Sequence, residues 1–310
     1  MVTSVVSVTD GPRTTVSDLV GSPLAIPTKI IDLLKAGFIS ESLLRNAGAN
    51  PNGLVQYSES TPLFLGSDVE NVAEYGEIPV GAGQIGTPRI AYALKKGLGV
   101  RVSKEMKDEN RIDDVNRQIK QLTNTMVRAD DRAIRTVLAT APTMPAAAAW
   151  DTSNGKPRKD FANAMEEIAS AQPDGTGYTD DEWLGFEANT IVCHPSLSAI
   201  LIDNEDILKV YKDSLAPASI AYTGRLPKDI LGLAVLTSRS FPKDRVLVLE
   251  RQTVGFYSDT RPLQSTALYP EGNGPNGGPT ESWRSDTTIK RAIGLDQPKA
   301  ALWITGVVTP

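Results

Sequence analysis

Apolar and polar residues recur along this chain in two rhythms, one helical and one alternating, and the longest regular stretch is helical. From Asn110 to Ala141, apolar or small residues return at Val115, Ile119, Leu122, Met126, Ala129, Ala133 and Val137. Steps of three and four place these side chains on one face of an α-helix, so the pattern predicts a single long amphipathic helix. Asn110 or Asp113 can cap its start, acids crowd its first turn, and Pro142 stops it. At about 1.5 Å per residue it would span on the order of 45 Å. The opposite face carries Arg117, Lys120, Arg128, Asp130, Asp131, Arg132 and Arg135. That face reads either as a solvated surface laced with ion pairs or as a subunit contact.

Either side of this helix the rhythm changes. Residues 1–24 mix Ser, Thr, Val, Gly and Pro without helical period and read as an extended arm, ordered only where it lies on something. Residues 26–47 read as a short helix with Ile30, Ile31, Leu34, Phe38 and Leu43 near one face and Gly48 as its stop. Residues 53–103 read as β, with Leu54, Val55 and Tyr57 at one end and the alternating runs RIAYALKK and GVRVSKE at the other. Between them lies a hairpin-like, glycine-rich excursion with too few large apolar residues for a core of its own, so it is expected to rest on a neighbour. After a loop over 143–159, a second amphipathic helix is predicted from Asp160 to Gln172, striped by Phe161, Met165, Ile168 and Ala169. A further loop follows, then a strand–turn–helix over Asn189–Asp203, with Pro195 opening the helix. Residues 204–225 read as irregular. The short strands LGLAVLTS, DRVLVLER and TVGFYSD come next, then a Gly/Pro/Asn loop, PEGNGPNGGPTE, and two closing strands. The expected class is α+β, with helices and antiparallel strands and no regular βαβ alternation.

Composition narrows the function. The 310 residues can bury a large core, and a net charge of -5 argues against a broad basic surface for gripping nucleic acid. One cysteine, Cys193, rules out an internal disulfide framework and fits a reducing compartment. No run approaches the roughly twenty apolar residues of a membrane helix, and the N-terminus lacks the features of a signal peptide, so a cytoplasmic protein is expected. Candidate chemistry is thin. The one histidine, His194, follows Cys193 directly, and neighbours on a strand point to opposite faces, which disfavours a Cys–His nucleophile pair. Metal-binding spacings are missing, and the glycines of GEIPVGAGQIG and GLG read as loop glycines rather than a phosphate cradle. The acid pairs Asp113/Asp114, Asp130/Asp131 and Asp180/Asp181 read as solvated charge. No catalytic, cofactor-binding or metal-binding residue is predicted.

The order of these parts resembles the major capsid proteins of tailed bacteriophages, the HK97 (Hong Kong 97) type of shell protein, and especially those of phages with actinobacterial or similar hosts. The likeness is carried by VAEYGEIPVG (Val72 to Gly81), ALKKGLGVRVSKEM (Ala93 to Met106), the helix containing DDVNRQI and MVRADDRA, and the ending RAIGLDQPKAALWITG. It implies an HK97-like α+β fold with an N-terminal arm over 1–57 and an E-loop over 58–101. A peripheral domain would take 102–142 and 258–297 with a spine helix of about 110–141, and an axial domain 143–257 and 298–310. It further implies self-assembly as hexamers and pentamers into an icosahedral shell around double-stranded DNA, touched only weakly and non-specifically. Scaffolding and portal proteins would be partners, with decoration proteins possible and no membrane contact. The location implied is the virion capsid, assembled in the host cytoplasm. Candidate contacts between subunits are Glu74, Tyr75, Glu77, Ile78 and Pro79 in the E-loop and Arg128, Arg132 and Arg135 on the spine helix. The arm begins almost at Met1, so scaffolding, if used, would be a separate protein. Some relatives join an E-loop lysine to a neighbour's asparagine; Lys95, Lys96, Asn273 and Asn276 are present here, but no motif fixes a pair. Two alternatives stand beside this reading: an encapsulin-like compartment with a protein cargo, and an α+β enzyme using acid–base pairs, which would need a pocket holding a perturbed carboxylate.

Overall fold

The computed structural model describes residues 15–35, 37–173, 182–207, 229–274 and 277–309. In chain order they form α1 (Val16–Gly21), α2 (Ala25–Lys35), α3 (Ile39–Leu43), β1 (Arg45–Ala49), β2 (Leu54–Glu59), β3 (Thr87–Tyr92), β4 (Leu94–Ser103), α4 (Lys104–Asp108) and α5 (Ile112–Leu138). Then follow β5 (Thr143–Pro145), α6 (Pro157–Ala169), β6 (Thr190–Cys193), α7 (Pro195–Asp203), β7 (Asp229–Ile230), β8 (Leu233–Thr237), β9 (Arg245–Leu249), β10 (Phe256–Ser265), β11 (Tyr269–Pro270), β12 (Ser282–Gly294) and β13 (Ala301–Thr305). Two compact units divide the chain: Met1–Gly37, Lys95–Val127 and Pro262–Ile289 make the first, and Phe38–Leu94, Arg128–Arg261 and Lys290–Pro310 the second.

In the first unit α1 opens on Thr15, whose hydroxyl accepts the Asp18 N–H at 3.1 Å while the Asp18 carboxylate accepts the Thr15 N–H at 2.9 Å, a reciprocal capping box. The segment expected to be a wholly extended arm therefore contains a helix, because a single cap can hold one short turn that shows no apolar period. Asn110 does not cap α5. It sits in the left-handed region (φ 51°), and its side-chain oxygen accepts the Val16 N–H at 2.9 Å. The first half of α5 buries Val115, Ile119, Leu122 and Met126 as its spacing predicts. The GLG motif lies inside β4, not in a loop. A Cβ on Gly97 would meet Thr288 at 2.9 Å and one on Gly99 would meet Asp286 at 2.3 Å, so these glycines permit the close approach of β4 to β12. β11 flanks β12 antiparallel, with Tyr269 opposite Arg284.

The core of the second unit is a six-stranded sheet in the order β5-β13-β9-β6-β8-β7. Its central strands are continuous apolar runs, TIVC, RVLVL and ALWIT, because both faces are covered. β6–β9, β9–β13 and β7–β8 are antiparallel, but β6–β8 and β5–β13 are parallel, as is β1–β10. The sheet is thus mixed rather than antiparallel. One parallel pair arises because the chain leaves β6 through α7 and returns to β8 in the same direction. α6 and α7 bury Phe161, Ala164, Ile168, Leu197 and Leu201 among the core residues. α6 starts at Pro157 rather than Asp160 and buries Ala164 where Ala169 was expected.

The residues expected to make one helix over 26–47 divide into α2, α3 and the beginning of β1. Gly48 is no helix stop. It lies in β1 with φ 85°, where its carbonyl accepts the Ser258 hydroxyl at 2.9 Å. α5 ends at Leu138, four residues before Pro142, and the Leu138 carbonyl accepts both the Ala141 N–H (3.1 Å) and the Trp303 indole N–H (2.8 Å). Its buried side also departs from the expected stripe. Asp130 and Asp131 are 5% and 4% exposed, and Ile134 and Leu138 are buried where Ala133 and Val137 were expected. Asp180/Asp181, Asn276 and most of the irregular stretch 204–225 lie outside the described residues.

Candidate assembly surfaces

β2 and β3 form an antiparallel ribbon in the second unit, in register from Leu54↔Tyr92 to Glu59↔Thr87. Alternation gives the ribbon two faces. Tyr57 meets Phe256 edge to face at 5.1 Å, and Ala91 is buried. The other face turns Leu54, Ile90 and Tyr92 to solvent. Between the strands, residues 60–86 form a finger without helix or strand. Its root is tight: Gly86 lies where a Cβ would fall 2.0 Å from the Glu59 carbonyl oxygen, so only glycine fits. Across the ribbon's end Arg89 pairs with Glu59 at 2.5 Å, an exposed ion pair of little weight. Farther out, the Gly66 N–H donates to the Ala82 carbonyl at 3.0 Å and draws the two arms of the finger together.

At the tip, the Gly76 N–H donates to the Ala73 carbonyl at 2.8 Å, which closes a four-residue turn. Tyr75 occupies its third position with φ 67°, a backbone state in which Gly or Asn is favoured. Holding a bulky residue there costs on the order of 1 kcal/mol or more. Tyr75 is also 98% exposed, so the folded subunit gains nothing in return. Val69 and Val80 are 94% and 93% exposed, and Leu63, Phe64, Leu65, Ile78 and Ile85 are open to solvent as well. Complete burial of each such side chain is worth about 1.5–3 kcal/mol, so the finger carries a large unused capacity for contact. Asp68, Glu70, Glu74 and Glu77 lie between residues 60 and 86 with no Lys or Arg, which makes the finger acidic as well as apolar.

The predicted contact residues divide accordingly. Glu74, Tyr75, Glu77, Ile78 and Pro79 are brought together at the exposed tip, whereas Arg128, Arg132 and Arg135 belong to α5. On α5 Arg128 and Arg132 are exposed, but Arg135 is half-buried and donates to the Ser240 carbonyl at 2.8 Å. Since Asp130 and Asp131 turn inward, the exposed charges near Arg128 and Arg132 are basic and not mixed as expected. Sequence reasoning missed the wider apolar set, Leu63 to Leu65, Val69, Val80 and Ile85. Its signal was present, as large apolar residues without period beside acids without bases.

The rest of the surface offers little chemistry. Cys193 is buried, and desolvation pushes its thiol up to about 11, while His194 lies at the surface with its pKa lowered by partial burial and by Lys243. His194 Nδ1 accepts the Ser196 N–H at 3.1 Å and so caps α7. Among the described residues no three or more His, Cys, Asp or Glu side chains gather as metal ligands, and no helix is long and apolar enough to cross a membrane.

Comparison with known proteins gives this geometry its context. No curated protein matches the chain in sequence. In structure it is similar to a protein of Microbacterium phage Oxtober96 (15% identity, TM-score 0.58, covering 98% of this chain and 96% of that one). It is similar to the capsid of the cyanophage P-SCSP1u (12%, 0.59, 86% and 86%) and to a virus-like particle from Pyrococcus furiosus (12%, 0.56, 90% and 97%). At these identities the likeness is one of fold. A family model described as phage capsid protein matches residues 86–304, more than half of the chain. The chain therefore belongs to the phage capsid protein family and has the HK97-type major capsid fold.

Proposed function

We propose that this capsid protein builds its shell by laying the acidic, apolar finger on a neighbouring copy, as hexamers and pentamers that close into an icosahedral container for double-stranded DNA. The observation that carries this reading is the finger itself: apolar side chains fully in solvent around a strained, exposed Tyr75. Groups that do nothing for the isolated subunit gain a purpose when a second copy buries them. Glu74, Tyr75, Glu77, Ile78 and Pro79 supply one side of the contact, and Arg128, Arg132 and Arg135 offer basic groups on α5. Here the arm is residues 1–57, the E-loop 58–101, the peripheral domain 102–142 with 258–297, and the axial domain 143–257 with 298–310. The chain has no catalytic role, and it assembles in the host cytoplasm with scaffolding and portal proteins. Its net charge of -5 favours only weak, non-specific contact with the packaged DNA. An encapsulin-like compartment would use the same fold, as the likeness to the Pyrococcus furiosus particle illustrates, but the family match favours DNA over a protein cargo.

The test is the double variant Ile78→Asp with Pro79→Gly. The expected result is loss of closed shells by negative-stain microscopy and light scattering, with circular dichroism and the urea midpoint unchanged. Shells of normal yield and size would overturn the finger contact, and nuclease-resistant DNA or a captured protein inside wild-type shells separates phage from compartment.

A further inference from the structure

The chain crosses between its two units five times, after residues 37, 94, 127, 261 and 289. Inside the second unit, the first few residues beside four of these five crossings converge on one side chain. Arg291, two residues from the last crossing in β12, is 7% exposed. Its Nε and Nη2 donate to both carboxylate oxygens of Asp259 in β10, at 2.7 and 2.9 Å. Nη1 donates to the Ser40 hydroxyl at 2.7 Å and Nη2 to the Glu41 carboxylate at 2.8 Å, both in α3. The Ser40 N–H in turn donates to Asp130 of α5 at 3.3 Å. The guanidinium also lies over the Tyr257 ring, 4.4 Å from its centroid. Burial alone would lower the arginine pKa, but the hydrogen bonds of Asp259 and Glu41 outweigh it and hold the group charged above its ordinary value.

We propose that Arg291 is a common anchor for the unit crossings: it locks α3 and the adjoining stretches of α5, β10 and β12 into one rigid block within the second unit. Any reorientation between units is then taken up beyond that block, on the first unit's side of each crossing. Three features support this. α3 has five residues and no side-chain cap at its start, so it cannot hold itself and depends on what it is tied to. A buried guanidinium bound in bidentate fashion cannot lose one partner without leaving charge uncompensated, so the block opens as a whole or not at all. And Ser40, Asp130, Asp259 and Arg291 each lie within three residues of a different crossing. The fifth crossing, at Leu94 where the finger's ribbon returns, sends no partner to Arg291. The ribbon meets the block through apolar packing instead, with Ala91 and Ala93 buried against Ala292 and Tyr57 against Phe256. This goes beyond the proposed assembly contact and is tested without shells.

Hydrogen exchange read by mass spectrometry on the purified full-length chain decides it. In Arg291→Lys and Arg291→Met, peptides covering 38–43, 128–131, 256–260 and 290–293 are expected to exchange at least about tenfold faster and in step, while β6, β9 and β13 keep their protection. Acceleration confined to 290–293, or none, would overturn the anchor. Should both variants fail to fold, Glu41→Gln, which removes only the most exposed partner, takes their place. It is expected to speed all four peptides by about threefold, and an effect limited to 38–43 would sink the proposal.

Discussion

Two regions of the second unit have opposite relations between sequence and surroundings. In the six-stranded sheet every large apolar side chain has neighbours: β6 and β9 are buried nearly throughout, Trp150 packs on Phe161 at 5.1 Å, and the Trp150 indole N–H finds the Asp160 carboxylate at 2.7 Å. In the finger, residues of the same chemical kind stand in solvent, and one holds a backbone conformation it does not favour. The sheet is complete in one chain, while the finger is half of something. Stability and assembly should therefore separate by region, and the sharpest break would come from the core. Phe161→Ala removes a fully buried ring and should cost about 3–5 kcal/mol, seen as a large fall in the urea midpoint with shells lost because the subunit is unfolded. A small loss there would mean that the sheet is not the stabilising half.

The finger's root is where the two regions join, and Gly86→Ala is the next largest expected effect. A Cβ 2.0 Å from the Glu59 carbonyl oxygen forces the end of the ribbon apart. The expected cost is about 1–3 kcal/mol, with shell yield falling further than stability explains, because the finger leaves its ribbon at a different angle. At the tip the two readouts should move in opposite directions. Tyr75→Gly relieves the left-handed backbone and should leave stability level or raise it by up to about 1 kcal/mol, while removing the exposed ring and weakening assembly. If stability and shell yield fell together at Tyr75, the finger would be part of the fold after all.

This division also explains which parts of the molecule are legible in the sequence. α5 and α6 are legible because they bury one face, and burial writes its period into the chain, while β6, β9 and β13 are legible as short continuous apolar runs buried on both faces. The strand–turn–helix at Pro195 is legible for the same reason, with proline punctuating it. α1 is not, since a reciprocal cap between Thr15 and Asp18 leaves no period. Neither is the inward turn of Asp130 and Asp131. A pair of aspartates in an amphipathic helix looks solvated until Ser40, 90 residues away, is seen to donate to one and Ser238, 107 away, to the other. GLG is misplaced by sequence because a glycine needed for close strand approach and one needed for a loop are the same letter. At the candidate contact, Glu74 to Pro79 are reached through family likeness. The exposed apolar set around them follows from what is missing, because no partner pattern in the chain answers it.

Asp131 gives the smallest of these effects and the most selective. It sits in α5 with the Ser238 hydroxyl donating to one oxygen at 2.6 Å, its other oxygen buried without a partner, and Arg135 on the same helix committed to the Ser240 carbonyl. Desolvation raises its pKa, only partly opposed by hydrogen bonds from Ser238 and Ser240. A carboxyl whose pKa is higher folded than unfolded binds more protons in the native state. Its penalty is therefore absent below the unfolded value of 3.8 and grows as pH rises toward the raised folded value. Asp131→Asn removes that titration. At acid pH the amide and the protonated acid are alike, each with a Ser238 contact and one unsatisfied group, so the two proteins should be about equally stable. As pH rises the wild type alone must ionise a buried group, so the variant's advantage should widen and then level off. Urea midpoints of both proteins at intervals from about pH 4 to about pH 7 measure this, since every other titrating group cancels in the difference. A difference that stays flat with pH would mean that the buried oxygen carries no unrelieved charge, and that the inward face of α5 is as well satisfied as the sheet whose core it shares.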